Sequence, residues 1–197
     1  MGNRIRQLSD PGALKALGHP LRQRILQHLG IHGPATSTTL GRALGENTGT
    51  LSYHLRQLES NGFIEEIPER STGRERWWRQ ISRDLRWPSA DQLDEESQQL
   101  LDEITEFKVE EELQLARRFF RDHRRYGEWA KASRGLTHLT KEELGEFFEA
   151  YMELLSRFGR TPEDASPGAQ PVFVRFFTMP ASEQPPAGAG PVPDSGP

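Results

Sequence analysis

The sequence predicts a mainly α fold with a small β-hairpin, and three patterns lead to this prediction. Apolar residues recur every three or four positions through residues 10–29 and 48–61, which is the spacing of amphipathic helices. Residues 63–81 read as a strand, a Gly-containing basic turn and a second strand. A long, heavily charged helix is predicted over residues 92–126.

The first predicted helix, residues 10–29, is interrupted at Pro20, because proline cannot donate a hydrogen bond to the preceding turn. A second helix follows Thr36 or Ser37, whose hydroxyl can accept from a free amide at the helix start. This second helix closes near Gly45.

The third predicted helix, residues 48–61, starts at Asn47 or Thr48 and is halted by Asn61-Gly62. At about 100° per residue, its leucines at 51, 55 and 58 fall on one stripe. The residues that point away from this stripe are Gly49, Ser52, Tyr53, Arg56 and Gln57. Three helices with short turns and then a hairpin make a winged helix-turn-helix.

The hairpin, residues 68–79, is the predicted wing. Its tip is predicted to carry the guanidinium groups of Arg70 and Arg74, and cations on an exposed loop suit a phosphate backbone. Trp77 and Trp78 are adjacent on a strand and therefore face opposite sides, so one of them is expected in the core.

The charge is divided unevenly along the chain. Residues 1–88 carry 13 Lys and Arg against 8 Asp and Glu, a net of +5. Residues 89–197 carry 12 against 21, a net of −9, which together give the overall −4. The acidic average therefore does not argue against DNA binding by the first half.

Beyond Trp87-Pro88 the apolar stripe of the long helix changes register. Positions 93, 97, 100, 104 and 107 give way to 109, 113, 116 and 120, so the helix either has a stutter or contacts different neighbours along its length. One small winged domain cannot cover both stripes, and pairing with a second copy is the economical solution. The residues predicted to form the dimer contact are Leu93, Leu100, Leu101, Ile104, Phe107, Leu113 and Phe120.

Thr140 and Glu143 form a predicted capping box, and an aromatic helix face follows at 144–158. Residues 172–178 alternate as a β-strand, which would pair with the wing sheet or with its symmetry mate. The expected domains are a winged helix-turn-helix at 1–88, a helical dimerisation and effector region at 89–179, and a disordered tail at 180–197.

Three stretches together resemble ArsR-like winged-helix transcriptional regulators, especially the actinobacterial type with a helical C-terminal extension. They are HPLRQRILQHL at 19–29, LSYHLRQLESNGFI at 51–64 and GRERWWRQI at 73–81. The resemblance implies a homodimeric, sequence-specific DNA-binding regulator, commonly a repressor, with helix 48–61 in the major groove. The sensing cysteines of the founding metal sensors have no counterpart here, so a metalloid response is not expected.

The residues expected to contact double-stranded DNA lie on the third helix and the wing. Arg56 can bind guanine in a bidentate manner, and the Tyr53 ring can meet a thymine methyl or a phosphate. For Thr48, capping of the helix and contact with DNA are equal alternatives. For His54, a satisfied, semi-buried ring is at least as strong an alternative as a DNA contact. The full set is Thr48, Thr50, Ser52, Tyr53, Arg56, Gln57, Arg70, Thr72, Arg74 and Arg76.

Composition excludes several other classes of protein. The chain has no cysteine, and its six histidines show no ligand spacing. No phosphate loop or catalytic triad is visible, so we expect no metal, no cofactor and no enzyme activity. No apolar run approaches the roughly 18 residues that span a bilayer, which indicates a soluble, cytoplasmic protein without a membrane partner.

The leading hypothesis is a homodimeric repressor that reads a pseudo-palindromic operator. A second hypothesis treats the winged fold as a protein-docking module that acts through its acidic helical half. A third keeps DNA binding and adds a small-molecule effector pocket between the aromatic helix at 144–158 and the long helix.

Overall fold

The computed structural model describes residues 6–7, 11–73, 75–81, 85–86 and 93–181. Within these ranges the helices are α1 (Pro11–Leu17), α2 (Pro20–His32), α3 (Ser37–Leu44), α4 (Thr48–Ser60), α5 (Glu95–Tyr126) and α6 (Lys141–Phe158). The strands are β1 (Arg6–Gln7), β2 (Ala35–Thr36), β3 (Ile64–Glu66), β4 (Trp77–Gln80) and β5 (Leu85–Arg86). The predicted mainly α fold with a small sheet and a long C-terminal helix is confirmed.

The predicted break at Pro20 is confirmed as the boundary between α1 and α2. Nδ1 of His19 accepts from the Leu21 amide at 3.1 Å and so caps the start of α2. Nε of Arg22 donates to the Ala16 carbonyl at 2.5 Å, and the side-chain Nε2 of Gln23 donates to the Leu17 carbonyl, the last of α1. The free carbonyls of α1 are therefore satisfied by the next helix, which continues to residue 32 rather than ending at 29.

The wing belongs to a three-stranded antiparallel sheet in the order β2-β4-β3. Trp78 on the central strand β4 pairs with Ala35 on one side and Glu66 on the other. Its side chain is buried in the core, whereas Trp77 is half-buried, so the prediction that the two rings face opposite sides is confirmed. The sequence did not predict β2, because two residues are too few to show an alternating pattern.

A tight three-residue turn joins α3 to α4. Gly45 lies in the left-handed region at φ +72°, and the amides of Gly45 and Glu46 both donate to the Gly41 carbonyl, at 3.0 and 3.1 Å. A Cβ on Gly41 would lie only 2.8 Å from the Glu46 carbonyl oxygen. Close packing of the two helices therefore requires glycine at position 41.

The winged domain has one apolar core, to which α5 contributes. The three leucines of the predicted α4 stripe are all buried in it. Other members from α1, α2, α3, β3, β4 and α5 are Leu14, Leu17, Ile25, Leu29, Leu40, Ile64, Trp78 and Ile104. The first stripe of α5 thus lies against α1.

This packing corrects part of the predicted dimer contact. Leu93 and Ile104 are buried within the single chain, and Leu100 and Leu101 are half-buried. Of these four, Ile104, Leu100 and Leu101 pack in the core of the winged domain. Leu113 and Phe120, on the second stripe, are exposed, as is Val109 at the start of that stripe. The side chain of Phe107 lies outside the described part of the chain.

The C-terminal region agrees with the prediction at α6 and differs after it. The capping box is confirmed, because the Thr140 amide donates to Glu143 at 2.7 Å and the Glu143 amide donates to the Thr140 hydroxyl at 3.2 Å. The strand predicted at 172–178 is wrong, since this segment is not part of any sheet in the described chain. Its alternating side chains contact helices instead: Phe176 stacks on Tyr151 of α6 at 4.3 Å between ring centroids, and Arg175 pairs with Glu112 of α5 at 2.7 Å.

Within the described chain the wing sheet consists of β2, β4 and β3 alone, so segment 172–178 does not pair with it. Pairing with a symmetry mate stays a prediction. The predicted domain boundary at 88 and nearly all of the tail at 180–197 lie outside the described residues. In the ranges that are described, no helix combines the length and apolarity needed to cross a bilayer.

Candidate nucleic-acid interface

Helix α4 presents a polar face to solvent, opposite its buried leucines. Ser52, Tyr53 and Arg56 are exposed, with Tyr53 at 54% of its maximal area, and Gln57 is half-buried. The predicted outward set on this helix is thus brought together on one face, which we call the reading face (Ser52, Tyr53, Arg56 and Gln57).

Arg56 is held in place without being neutralised. Its Nε donates to the Ser52 carbonyl at 3.1 Å, which is one turn earlier on the same helix. Among the described residues it forms no ion pair with a carboxylate. The two terminal nitrogens can therefore meet the O6 and N7 acceptors of a guanine edge.

The start of α4 decides between capping and contact for Thr48. Oδ1 of Asn47 accepts from the Thr50 amide at 2.8 Å, so Asn47 caps the helix and the capping role weighed for Thr48 is wrong. Thr48 is exposed, and its carbonyl accepts from the Ser52 hydroxyl at 2.7 Å. Since the Ser52 proton is used in this bond, Ser52 can only accept from DNA.

Sequence reasoning missed Arg42, which is exposed on the last turn of α3. In this fold the helix before the reading helix crosses the DNA backbone, where a cation can contact a phosphate. The signal was present in the sequence as a basic residue at the end of the helix, but helix polarity alone also explains a basic residue there.

The wing differs from its predicted form at the tip. Pro68–Arg70 form a 3₁₀ turn at its base, and the tip is the turn at Gly73, with φ +61°, between Thr72 and Glu75. Arg70 is therefore at the base of the wing and not at its tip. Arg74 lies outside the described residues, and Thr72 is exposed.

Carboxylates of the same chain lie next to the basic residues of the wing. Arg76 lies 3.6 Å from Glu66, and Arg70 lies 3.6 Å from Glu163 in the loop after α6. Exposed pairs of this kind contribute about 0–1 kcal/mol each, so a phosphate can replace the carboxylate at little cost. The sequence did not predict the second pair, because its partners are far apart along the chain.

A histidine pair lies behind the reading face. The ring of His54 is buried on α4, 4.3 Å from the ring of His19 at the start of α2, and its Nδ1 has no hydrogen-bond partner among the described residues. Burial lowers the pKa of His54, and the nearby charges of His19 and Arg22 lower it further, against an opposing effect of Glu46. His54 is thus buried, more deeply than the semi-buried and satisfied ring that the sequence suggested, and the neutral ring is favoured.

A family described as "Helix-turn-helix domain" matches residues 17–67, which include the whole of α3, the turn and α4. No curated protein gives a significant match to the chain. The described ranges hold no cluster of three or more His, Cys, Asp or Glu side chains that could bind a metal ion.

Several solved structures share low similarity with the chain. Reduced HlyU from Vibrio cholerae is 22% identical, with 36% of this chain and 70% of that chain covered and a TM-score of 0.31. An ArsR family transcriptional regulator, RHA00566, is 20% identical, with 53% and 88% covered and a TM-score of 0.31. The transcriptional regulator Tm0710 from Thermotoga maritima is 16% identical, with 74% and 84% covered and the same TM-score.

The domain match spans the helices α3 and α4. In helix-turn-helix domains the second helix is the one that enters the major groove, and α4 holds that position here. The turn at Gly45 separates α3 from α4, and strands β3 and β4 of the three-stranded sheet follow α4 in the chain. Residues 17–67 thus form a helix-turn-helix domain, and the sheet that β4 completes after it gives this part of the chain a winged helix-turn-helix fold.

Proposed function

We propose that the protein is a homodimeric repressor whose two copies of α4 enter successive major grooves of a pseudo-palindromic operator. The observation that carries this proposal is the reading face, which holds an uncommitted Arg56 guanidinium and an exposed Tyr53 opposite a fully buried leucine stripe. Arg42 and the wing would bind flanking phosphates and fix the register. A dimer bound over a promoter would exclude the polymerase, which is the basis of repression.

The second stripe of α5 supports the dimer. Positions 109, 113, 116 and 120 lie within about 60° of one another around the helix, at 100° per residue. Val109, Leu113 and Phe120 in this stripe are 49%, 45% and 59% exposed in the single chain. An apolar stripe of alternating four- and three-residue spacing is the pattern by which helices pair.

The DNA-binding part of the proposal is tested with operators selected from random duplexes. Specific binding should weaken as salt rises, and Arg56→Ala should lose about 1–3 kcal/mol per reading head, or about 2–6 kcal/mol for the dimer. Arg157→Ala is the control, because this exposed arginine on α6 lies outside the reading face. Equal loss in the two variants, or equal affinity for all duplexes, would contradict sequence reading and favour the protein-docking alternative.

The dimer is tested by sedimentation equilibrium. Leu113→Glu places a charge on the exposed stripe, where it should not disturb the core, and it should yield monomers that bind a half-site. Leu136→Glu is the control, since Leu136 is 81% exposed outside the helices. If Leu113→Glu forms dimers with an unchanged dissociation constant, this stripe is not the dimer contact.

A further inference from the structure

A cleft of about 530 Å³ opens between α2, the middle of α5 and the segment 173–175. Its volume is within the range of about 300–1,000 Å³ that small-ligand sites occupy. Gln27 of α2 forms one wall, and Phe173 and Arg175 form the opposite one. The cleft is a different place from the space between α6 and α5 that the sequence suggested for an effector, where Phe176 instead covers the α6 aromatics.

The charge of this cleft is unlike that of the region around it. Four arginines line it, at 117, 118, 121 and 175, against the two carboxylates Glu111 and Glu112. The excess is positive, although the half of the chain that supplies these residues has a net charge of −9. A local cationic site in an acidic region is evidence for an anionic partner.

Two of the four guanidinium groups are already occupied. Arg175 donates to both carboxylate oxygens of Glu112, at 2.7 and 2.8 Å, and Arg121 binds Asp122 at 3.1 Å. The first of these pairs holds segment 173–175 against α5 and so forms the wall. Arg117 and Arg118 are exposed and pair with no carboxylate in the described ranges.

Phe173 gives the cleft an aromatic wall beside its arginines, which favours a ligand that contains a ring. The Phe173 ring is 42% exposed, and the Arg175 guanidinium lies 5.4 Å from its centroid. This ring offers a flat apolar surface beside the uncommitted arginines. A ligand that combines an anionic group with a planar ring would use both features.

We propose that this cleft binds a small molecule that carries a phosphate or carboxylate group and an aromatic ring, with Arg117 and Arg118 on the anion and Phe173 on the ring. Gln27 lies on α2, which packs against α4, so occupancy of the cleft is coupled to the position of the reading helix. The binding site stands independently, whereas its role as an effector site depends on the proposed function.

The test is calorimetric titration of the full-length protein with phenyl phosphate and with inorganic phosphate. The double variant Arg117→Gln/Arg118→Gln should bind phenyl phosphate about tenfold or more weakly, because charge-assisted hydrogen bonds are lost. The control is Arg124→Gln/Arg125→Gln, which removes two exposed arginines of the same helix outside the cleft and should leave binding unchanged. Phe173→Ala should weaken phenyl phosphate binding while leaving inorganic phosphate binding unchanged.

Absence of phenyl phosphate binding, or an equal loss in the control variant, would overturn the proposal. DNA is the other source of phosphate, and a separate arm measures operator affinity against salt. If the Arg117/Arg118 variant has a smaller salt slope for DNA and the native protein does not bind phenyl phosphate, the cleft contacts the DNA backbone instead. Arg56→Ala distinguishes the two proposals, because it should weaken specific DNA binding and leave phenyl phosphate binding intact.

Discussion

Gly41→Ala should destabilise the winged domain even though alanine is the better helix former. Gly41 lies on α3, and its added Cβ would come within 2.8 Å of the Glu46 carbonyl oxygen. The turn cannot retreat freely, because the amides of Gly45 and Glu46 both donate to the Gly41 carbonyl. Any relief of the clash therefore weakens these two hydrogen bonds.

The magnitude follows from opposing effects. Overpacking of this kind costs about 1–3 kcal/mol, and weakening two hydrogen bonds adds about 1 kcal/mol. Replacement of glycine by alanine inside a helix stabilises the folded state by about 1 kcal/mol, which offsets part of this cost. We therefore expect a net loss of about 1–3 kcal/mol in the free energy of unfolding.

The assay is urea denaturation followed by tryptophan fluorescence and by circular dichroism, since Trp77 and Trp78 lie in the same domain. The matched control is Gly30→Ala on α2. Its Cβ would meet only the end of the Gln80 side chain, at 2.7 Å, which can swing aside. This control should be neutral or more stable by up to about 1 kcal/mol. Equal stabilisation in both variants would refute the account of the α3–α4 turn.

Three further predictions address capping, pH and phosphate contact. Asn47→Ala should cost about 1 kcal/mol of stability in the same denaturation assay, whereas Thr48→Ala should cost almost none; the opposite order would mean that Thr48 caps α4. Because the pKa of His54 is lowered on folding, the unfolded chain binds more protons, so stability should fall as pH drops from about 6.5 through the lowered pKa. His54→Phe should reduce this loss in urea titrations between about pH 7.5 and 5.5, and an unchanged pH profile would contradict the assignment. Arg42→Gln should lower affinity for all DNA sequences alike and reduce the salt slope by about 0.9 per copy in fluorescence anisotropy, and a sequence-dependent loss would place Arg42 on a base instead.

The elements that follow from local patterns could be predicted from the sequence. The α4 stripe, the break at Pro20 and the capping box at Thr140 each depend on residues a few positions apart, and each is present in the structure. The cap of α4 needed the structure, since Asn47 and Thr48 are both good caps and the turn from Gly45 decides between them.

Features that depend on distant contacts could not be predicted. Residues 172–178 have the alternation of a strand, but a strand also requires a backbone partner, and the side chains of this segment contact α5 and α6 instead. The His19–His54 pair joins residues 35 positions apart through the packing of α2 on α4. The two apolar stripes of α5 could be recognised in the sequence. Only the packing of α5 on α1 shows that the first stripe is the one buried within the single chain.

Helix α5 runs without interruption from Glu95 to Tyr126, a length of about 48 Å at 1.5 Å per residue. Its first part packs in the core of the winged domain, and its second part carries the exposed stripe that is proposed to form the dimer contact. The separation of the two heads would then be set by a stiff rod and not by a tether. Binding should therefore depend on the spacing of the two half-sites. Inserting about half a helical turn of DNA between them turns one half-site to the other side of the duplex, so that one dimer can no longer bind both.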